Sequence, residues 1–118
     1  MPLHAQERVY ELAAEVFQMM AAPMRLKILQ VLAGGERSVT DLLMHVNTTQ
    51  PNMSQHLNLL YKIGFLRKRR SGVQIYYSIA NAEALALCQS VCQKINTELS
   101  DQAGQIPHNE RLIRFTTI

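Results

Sequence analysis

Thr49-Gln50-Pro51-Asn52-Met53-Ser54-Gln55-His56-Leu57, followed after Gly64 by Phe65-Leu66-Arg67-Lys68-Arg69-Arg70-Ser71-Gly72-Val73-Gln74-Ile75-Tyr76-Tyr77-Ser78-Ile79, is the stretch whose reading decides the fold. Its first half has a helix start. Thr49 can cap, and Pro51 falls in the first turn, where a missing N–H costs little. Met53, Leu57 and Leu60 recur at helical spacing to about Lys62, and Gly64 stops the helix. The second half changes to a period of two. Phe65 to Arg70 reads as one strand, and Val73, Ile75, Tyr77 and Ile79 alternate along another. Ser71-Gly72 is the expected hairpin turn, because glycine readily takes the positive φ such turns need.

Just upstream, Ser38-Val39-Thr40-Asp41 looks like the start of a short helix, with Ser38 as cap and Asp41 near the positive end of the helix dipole. Leu42, Leu43 and Val46 give it a buried side, and Asn47-Thr48 turns the chain into the next helix. Two short helices across a tight turn, then a basic hairpin, predict a helix-turn-helix with a wing. Two helices precede this unit. The first runs from about Ala5 to Met20, with Val9, Leu12, Ala13, Val16, Phe17 and Met20 on one stripe. The second carries Met24, Ile28, Val31 and Leu32 inward and Arg25 and Lys27 outward, and ends at Gly34-Gly35. After the wing, Asn81 caps a last helix with Glu83 in its first turn. Ala84, Leu85, Cys88, Val91, Cys92 and Ile95 lie along one side of it. The expected fold is therefore mainly α with a small β-hairpin, a winged helix-turn-helix of about five helices and a two-stranded wing. Residues 1–100 form one DNA-binding and dimerisation domain, and residues 101–118 a tail without clear periodicity.

Charge points to the partner. The protein has 118 residues and a formal net charge of +3. Between Leu42 and Ala82 there is no Asp or Glu, while Lys62, Arg67, Lys68, Arg69 and Arg70 all fall there. A positive field concentrated in this way suits a polyanion. The exposed end and face of the second helix of the pair offer Thr49, Gln50, Asn52, Ser54, Gln55, Asn58 and Lys62. Amides pair bidentately with adenine, and hydroxyls meet phosphates or base edges. Lys68, Arg69 and Arg70 near the wing tip can reach a neighbouring groove or the backbone. The expected partner is double-stranded DNA. His56 lies close to the apolar face and reads as packed or capping as readily as a DNA contact.

Other classes find less support. No phosphate-cradling glycine loop, nucleophile motif or carboxylate pair is visible, so the chain does not read as an enzyme. No apolar run spans a bilayer and no export signal opens the chain, which places it in the cytoplasm with no membrane partner. Two cysteines four residues apart form no long-range disulfide framework. His4, His45, His56 and His108 are scattered, and none has ligand spacing with another. A winged helix used only for protein contacts is the alternative to a DNA reader, and so is a DNA-binding regulator without a thiol inducer.

The helix tip, Gly64-Phe65-Leu66 and the wing end Ile75-Tyr76-Tyr77-Ser78-Ile79 together resemble the ArsR/SmtB-type bacterial repressors, over about Val9 to Thr97. The resemblance implies a homodimer joined through first and last helices. It also implies repression by operator binding, released by an inducer. The amphipathic ends support the dimer independently, because one small chain would leave their stripes partly uncovered. The family's usual sensing positions do not carry over. The cysteine pair at the third helix is replaced by Arg37-Ser38-Val39-Thr40-Asp41. The zinc positions of the last helix correspond to Asn81, Glu83, Lys94 and Thr97, a poor zinc set. The persulfide-sensing cysteines correspond to Gln30 and Asn96.

Cys88 and Cys92 remain, at i and i+4 on the last helix. They are the expected sensing residues, through oxidation, persulfidation or a soft metal(loid) ion such as As(III), Sb(III) or Cd(II). No cofactor is required by this reading, and any metal would bind Cys88 and Cys92. A free cysteine on an apolar stripe also behaves as a small buried hydrophobe, and packing is the competing role.

Overall fold

The computed structural model describes residues 3–101. The tail at residues 102–118 lies outside the described residues. The order is α1 (Leu3–Met20), α2 (Pro23–Leu32), β1 (Arg37–Ser38), α3 (Val39–His45), α4 (Gln50–Lys62), β2 (Leu66–Ser71), β3 (Gln74–Ile79) and α5 (Ala82–Asp101). The five helices and the hairpin stand where the sequence periodicity puts them. The caps do as well. The Asp41 amide donates to Ser38 Oγ at 3.0 Å, the Asn52 amide to Thr49 Oγ1 at 3.3 Å, and the Ala84 amide to Asn81 Oδ1 at 2.9 Å. Each bond satisfies one amide that the first turn of a helix leaves without an internal partner.

The core lies where α2, α3, α4 and the sheet meet. Ile28, Leu29 and Leu32 of α2, Leu42 of α3, and Met53, Leu57 and Leu60 of α4 are completely or almost completely buried. Phe65, Leu66 and Tyr77 close it from the sheet, and Ala84 and Cys88 from α5. Leu29 belongs to this core although the sequence stripe omits it.

The two-stranded wing stands as expected, with one strand added to its sheet and one correction to its turn. The sheet has three strands in the order β1-β3-β2, because Arg37 and Ser38 pair antiparallel with Tyr77 and Tyr76. A two-residue strand is too short to show a period of two. The hairpin turn is Gly72-Val73 instead of Ser71-Gly72, because Ser71 still pairs with Gln74. Gly72 takes φ +62° and Val73 does not take positive φ, the pattern of a II′ turn whose twist matches the strands. As expected for so small a chain, the stripe of α1 is mostly uncovered. Only Met20 is buried and Val16 packs on the core, while Val9, Leu12 and Phe17 are exposed.

Candidate DNA interface and thiol site

α4 divides cleanly by its period. Met53, Leu57 and Leu60 point into the core, and Gln50, Ser54, Gln55, Asn58 and Lys62 are exposed on the other side. Thr49 and Asn52 at the tip already have local partners. Thr49 caps the helix, and Asn52 Nδ2 donates to Thr48 Oγ1 at 2.7 Å. The free polar face is thus Gln50, Ser54, Gln55 and Asn58. These four also line a cleft of about 530 Å³ between α4 and the wing, with Val73, Gln74 and Ile75 on its far side. Gln74 belongs to this surface and was not anticipated from the sequence. Its Oε1 accepts from Thr40 Oγ1 at 3.4 Å, which ties the wing to α3. Only the fold brings the turn and β3 to that cleft against α4.

The wing cations are not equivalent. Arg69 gives a two-pronged pair to Glu36, at 2.8 and 2.7 Å, and lies 4.5 Å over the Tyr76 ring. This pair holds the Glu36 carboxyl below its ordinary range, chiefly through the Arg69 hydrogen bond, and holds the guanidinium proton more tightly. Arg67 Nη1 donates to the Ile79 carbonyl at 3.3 Å, and Arg70 Nε to the Gly72 carbonyl at 3.2 Å. Lys68 sits 4.3 Å over the Tyr61 ring of α4, which steadies its stem but leaves its charge unneutralised. Arg67, Lys68 and Arg70 therefore remain without a carboxylate partner among the described residues, and Arg69 is neutralised unless Glu36 lets go. The stretch free of acid in sequence is not free of acid in space.

Behind the reading face, Arg25 is turned inward rather than outward. Its Nη1 donates to the Met19 carbonyl at the end of α1 at 2.9 Å, and its Nε donates to His56 Nδ1 of α4 at 3.1 Å. His56 therefore has a structural partner. Burial first, then the Arg25 charge, holds its pKa below the ordinary 6.5. An imidazolium carries hydrogen on both nitrogens and cannot accept this bond. A depressed histidine pKa means that the unfolded state takes up the proton more readily, so stability is full above 6.5 and falls as pH drops through the folded value. The expected result is a melting temperature that declines from pH 7.5 to pH 5, and declines less in His56→Gln. Circular dichroism melts across that range check it, and equal pH dependence in the two proteins would exclude His56 as the source.

The two thiols occupy different environments on α5. Cys88 is buried and Cys92 is exposed, and both are free. Burial first, then the neighbouring Cys92 charge and a hydrogen bond with it, pushes the Cys88 thiol up to about 11. Cys88 is therefore protonated at neutral pH and shielded, while Cys92 faces solvent. Among the described residues no group of three or more His, Cys, Asp or Glu side chains comes together as a metal site. Two thiols one helical turn apart, one of them buried and protonated, are a poor set for a soft metal(loid) ion that takes three thiolates. Cys92 also faces a groove of about 500 Å³ between α2 and α5.

No helix of the described residues is long and apolar enough to cross a membrane. A family profile described as bacterial regulatory protein, arsR family, matches residues 22–68, from the start of α2 into the wing. An uncharacterized HTH-type transcriptional regulator of Mycobacterium tuberculosis, Rv0081, is 39% identical over 102 residues, covering 83% of this chain and 87% of that protein. Its crystal structure matches with a TM-score of 0.69 and 36% identity, covering 80% of this chain and 95% of that one. A biofilm growth-associated repressor of Agrobacterium fabrum is 34% identical over 90 residues, 76% of this chain and 77% of that one. The homodimeric winged helix-turn-helix DNA-binding domain Mb0332 of Mycobacterium bovis matches with a TM-score of 0.67 and 26% identity, over 87% of this chain and 94% of that one. The relatives are transcriptional regulators rather than enzymes, and with the wing, the turn and the α4 tip in place this chain belongs to the ArsR family of bacterial regulatory proteins.

Proposed function

We propose that the protein is a homodimeric, cytoplasmic repressor that holds operator DNA with α4 and the wing and releases it when Cys92 is modified. The observation that carries the reading is the exposed polar face of α4, Gln50, Ser54, Gln55 and Asn58, set beside the wing cations on a scaffold that buries the opposite side of the same helix. The amides and hydroxyls supply base readout in the major groove. Lys62, Lys68 and Arg70 supply phosphate contacts, and Arg69 joins them on exchanging Glu36 for a phosphate. Thr49 and Asn52 act by fixing the helix tip. Residues 1–100 carry all of this, with the tail outside it.

The dimer is supported by apolar side chains that one chain leaves open on two helices, Val9, Leu12 and Phe17 on α1 and Leu87, Val91 and Leu99 on α5. The repressor role is supported by the relative named as one. Thiol control is supported by the contrast between an exposed and a buried cysteine on a helix that also bears the apolar face. A modification of Cys92 acts on α5 and so on the spacing of the two reading heads, which must match half-sites about one helical turn apart. Sulfur chemistry fits this reading because it needs only the one exposed thiol that each chain offers.

Fluorescence anisotropy on duplex DNA from upstream of the protein's own gene tests this. Reduced protein should bind with strong salt dependence, lose the DNA on treatment with a persulfide donor or a disulfide, and regain it with reductant. Cys92→Ser should bind and ignore the reagents. Release of DNA from Cys92→Ser under the same treatment would refute thiol control and leave the DNA reader intact. Binding without salt dependence would refute the DNA reader.

A further inference from the structure

The groove between α2 and α5 has a chemical character of its own. Leu26, Lys27 and Gln30 line it from α2, and Gln89, Cys92, Gln93 and Asn96 line it from α5. No carboxylate is among these residues, and α2 contains no Asp or Glu at all. Lys27 is exposed and forms no ion pair with the described residues. Four amide side chains surround one thiol and one cation. The volume, about 500 Å³, is within the roughly 300–1,000 Å³ of small-molecule sites. On α5 the groove residues lie to one side of Leu87 and Val91. Gln89 stands three and four residues before Cys92 and Gln93, and Asn96 four and three after them, so the four share one face, and Val91 is about 100° around the helix from Cys92.

We infer that this groove is a docking site for a small anionic disulfide of the peptide-thiol type, whose carboxylates Lys27 and the amides hold while Cys92 takes one half of it as a mixed disulfide. The inference deepens the reading of Cys92 as the reacting thiol and rests on it, but does not depend on whether modification releases DNA. In the step, the Cys92 thiolate attacks one sulfur of the bound disulfide. A new S–S bond forms to Cys92, the old S–S bond breaks, and the other half departs as a thiolate that takes a proton from water. Cys92 is oxidised and the departing half is reduced. The adduct then persists, for two reasons. The Cys88 thiol behind Cys92 is protonated at neutral pH. A disulfide between residues one turn apart in a regular helix is also strained.

The test uses the full reduced protein and three disulfides as probes: glutathione disulfide, which is anionic, hydroxyethyl disulfide, which is neutral, and cystamine, which is cationic. Intact mass spectrometry follows adduct formation in time, and the urea-unfolded protein gives each probe's intrinsic reactivity. After that correction the folded protein should favour glutathione disulfide over the neutral probe by about threefold to tenfold, the scale of one nearby surface charge, and disfavour cystamine. Lys27→Glu should invert the order. Cys92→Ser should take up no adduct, and Cys88→Ala should take it up as the wild type does. Equal corrected rates for the three probes, indifference to Lys27→Glu, or an adduct mapped to Cys88 would each overturn the inference. None of these readouts involves DNA, so they fail separately from the loss of thiol control over binding.

Discussion

Val91→Glu is expected to convert the protein to a monomer and to weaken operator binding by about two to four orders of magnitude, the usual gain from linking two binding modules. Val91 is 44% exposed in the single chain, so a glutamate there does not disturb the fold of that chain. It does place a carboxylate in the middle of the apolar run Leu87, Val91 and Leu99, where a partner helix would have to bury it. An unpaired buried charge is costly enough to part a modest interface. Phe17→Glu on α1 should do the same from the other helix of the proposed interface. Light scattering gives the mass, and anisotropy gives the affinity on a two-half-site duplex and on a single half-site. Loss on the two-half-site duplex with little change on the half-site would locate the effect in linkage rather than in α4. If both variants stay dimeric, the interface lies elsewhere.

The helices were legible because each has a stripe and a cap that agree. Ser38, Thr49 and Asn81 could be read as caps from residue type and from the apolar run that follows, and each accepts the expected amide. The division of α4 into a buried and a reading face needed only the position of Met53. Contacts distant in sequence were not legible. Arg37-Ser38 is too short to show alternation, so the third strand was missed, and with it the route by which Glu36 reaches Arg69 from 33 positions away. Arg25 looked like a surface cation because its helix position is polar, yet its two bonds, to Met19 and His56, both lie across helix boundaries. The turn was misplaced by one residue. Gly72 satisfies both placements, and only the pairing of Ser71 with Gln74 decides between them. The cysteines were visible in sequence, but their unequal burial and the groove beside Cys92 depend on how α2 and α5 cross.

Leu57→Ala should lower the unfolding free energy by about 3 kcal/mol, within the range for a buried leucine cut to alanine in a tight core. Leu57 has no exposed surface and stands between Met53 and Leu60 on the buried side of α4, in the same cluster as Ile28, Leu29 and Leu42. The lost side chain leaves a cavity that neighbours on two other helices cannot fill without moving. Against a total stability of about 5–15 kcal/mol, the change is large enough to be read directly in urea melts at one fixed protein concentration. Gln55→Ala, two residues away, is the counterpart. Gln55 is exposed, so its removal should change stability by less than about 0.5 kcal/mol. It should nevertheless weaken operator binding by about tenfold, through a lost base contact of about 1–3 kcal/mol. The two variants together separate what α4 does for the fold from what it does for DNA. A Gln55→Ala protein that is stable and binds like the wild type would remove Gln55 from the reading face. A Leu57→Ala protein that melts with the wild type would mean that α4 is held by something other than its apolar side.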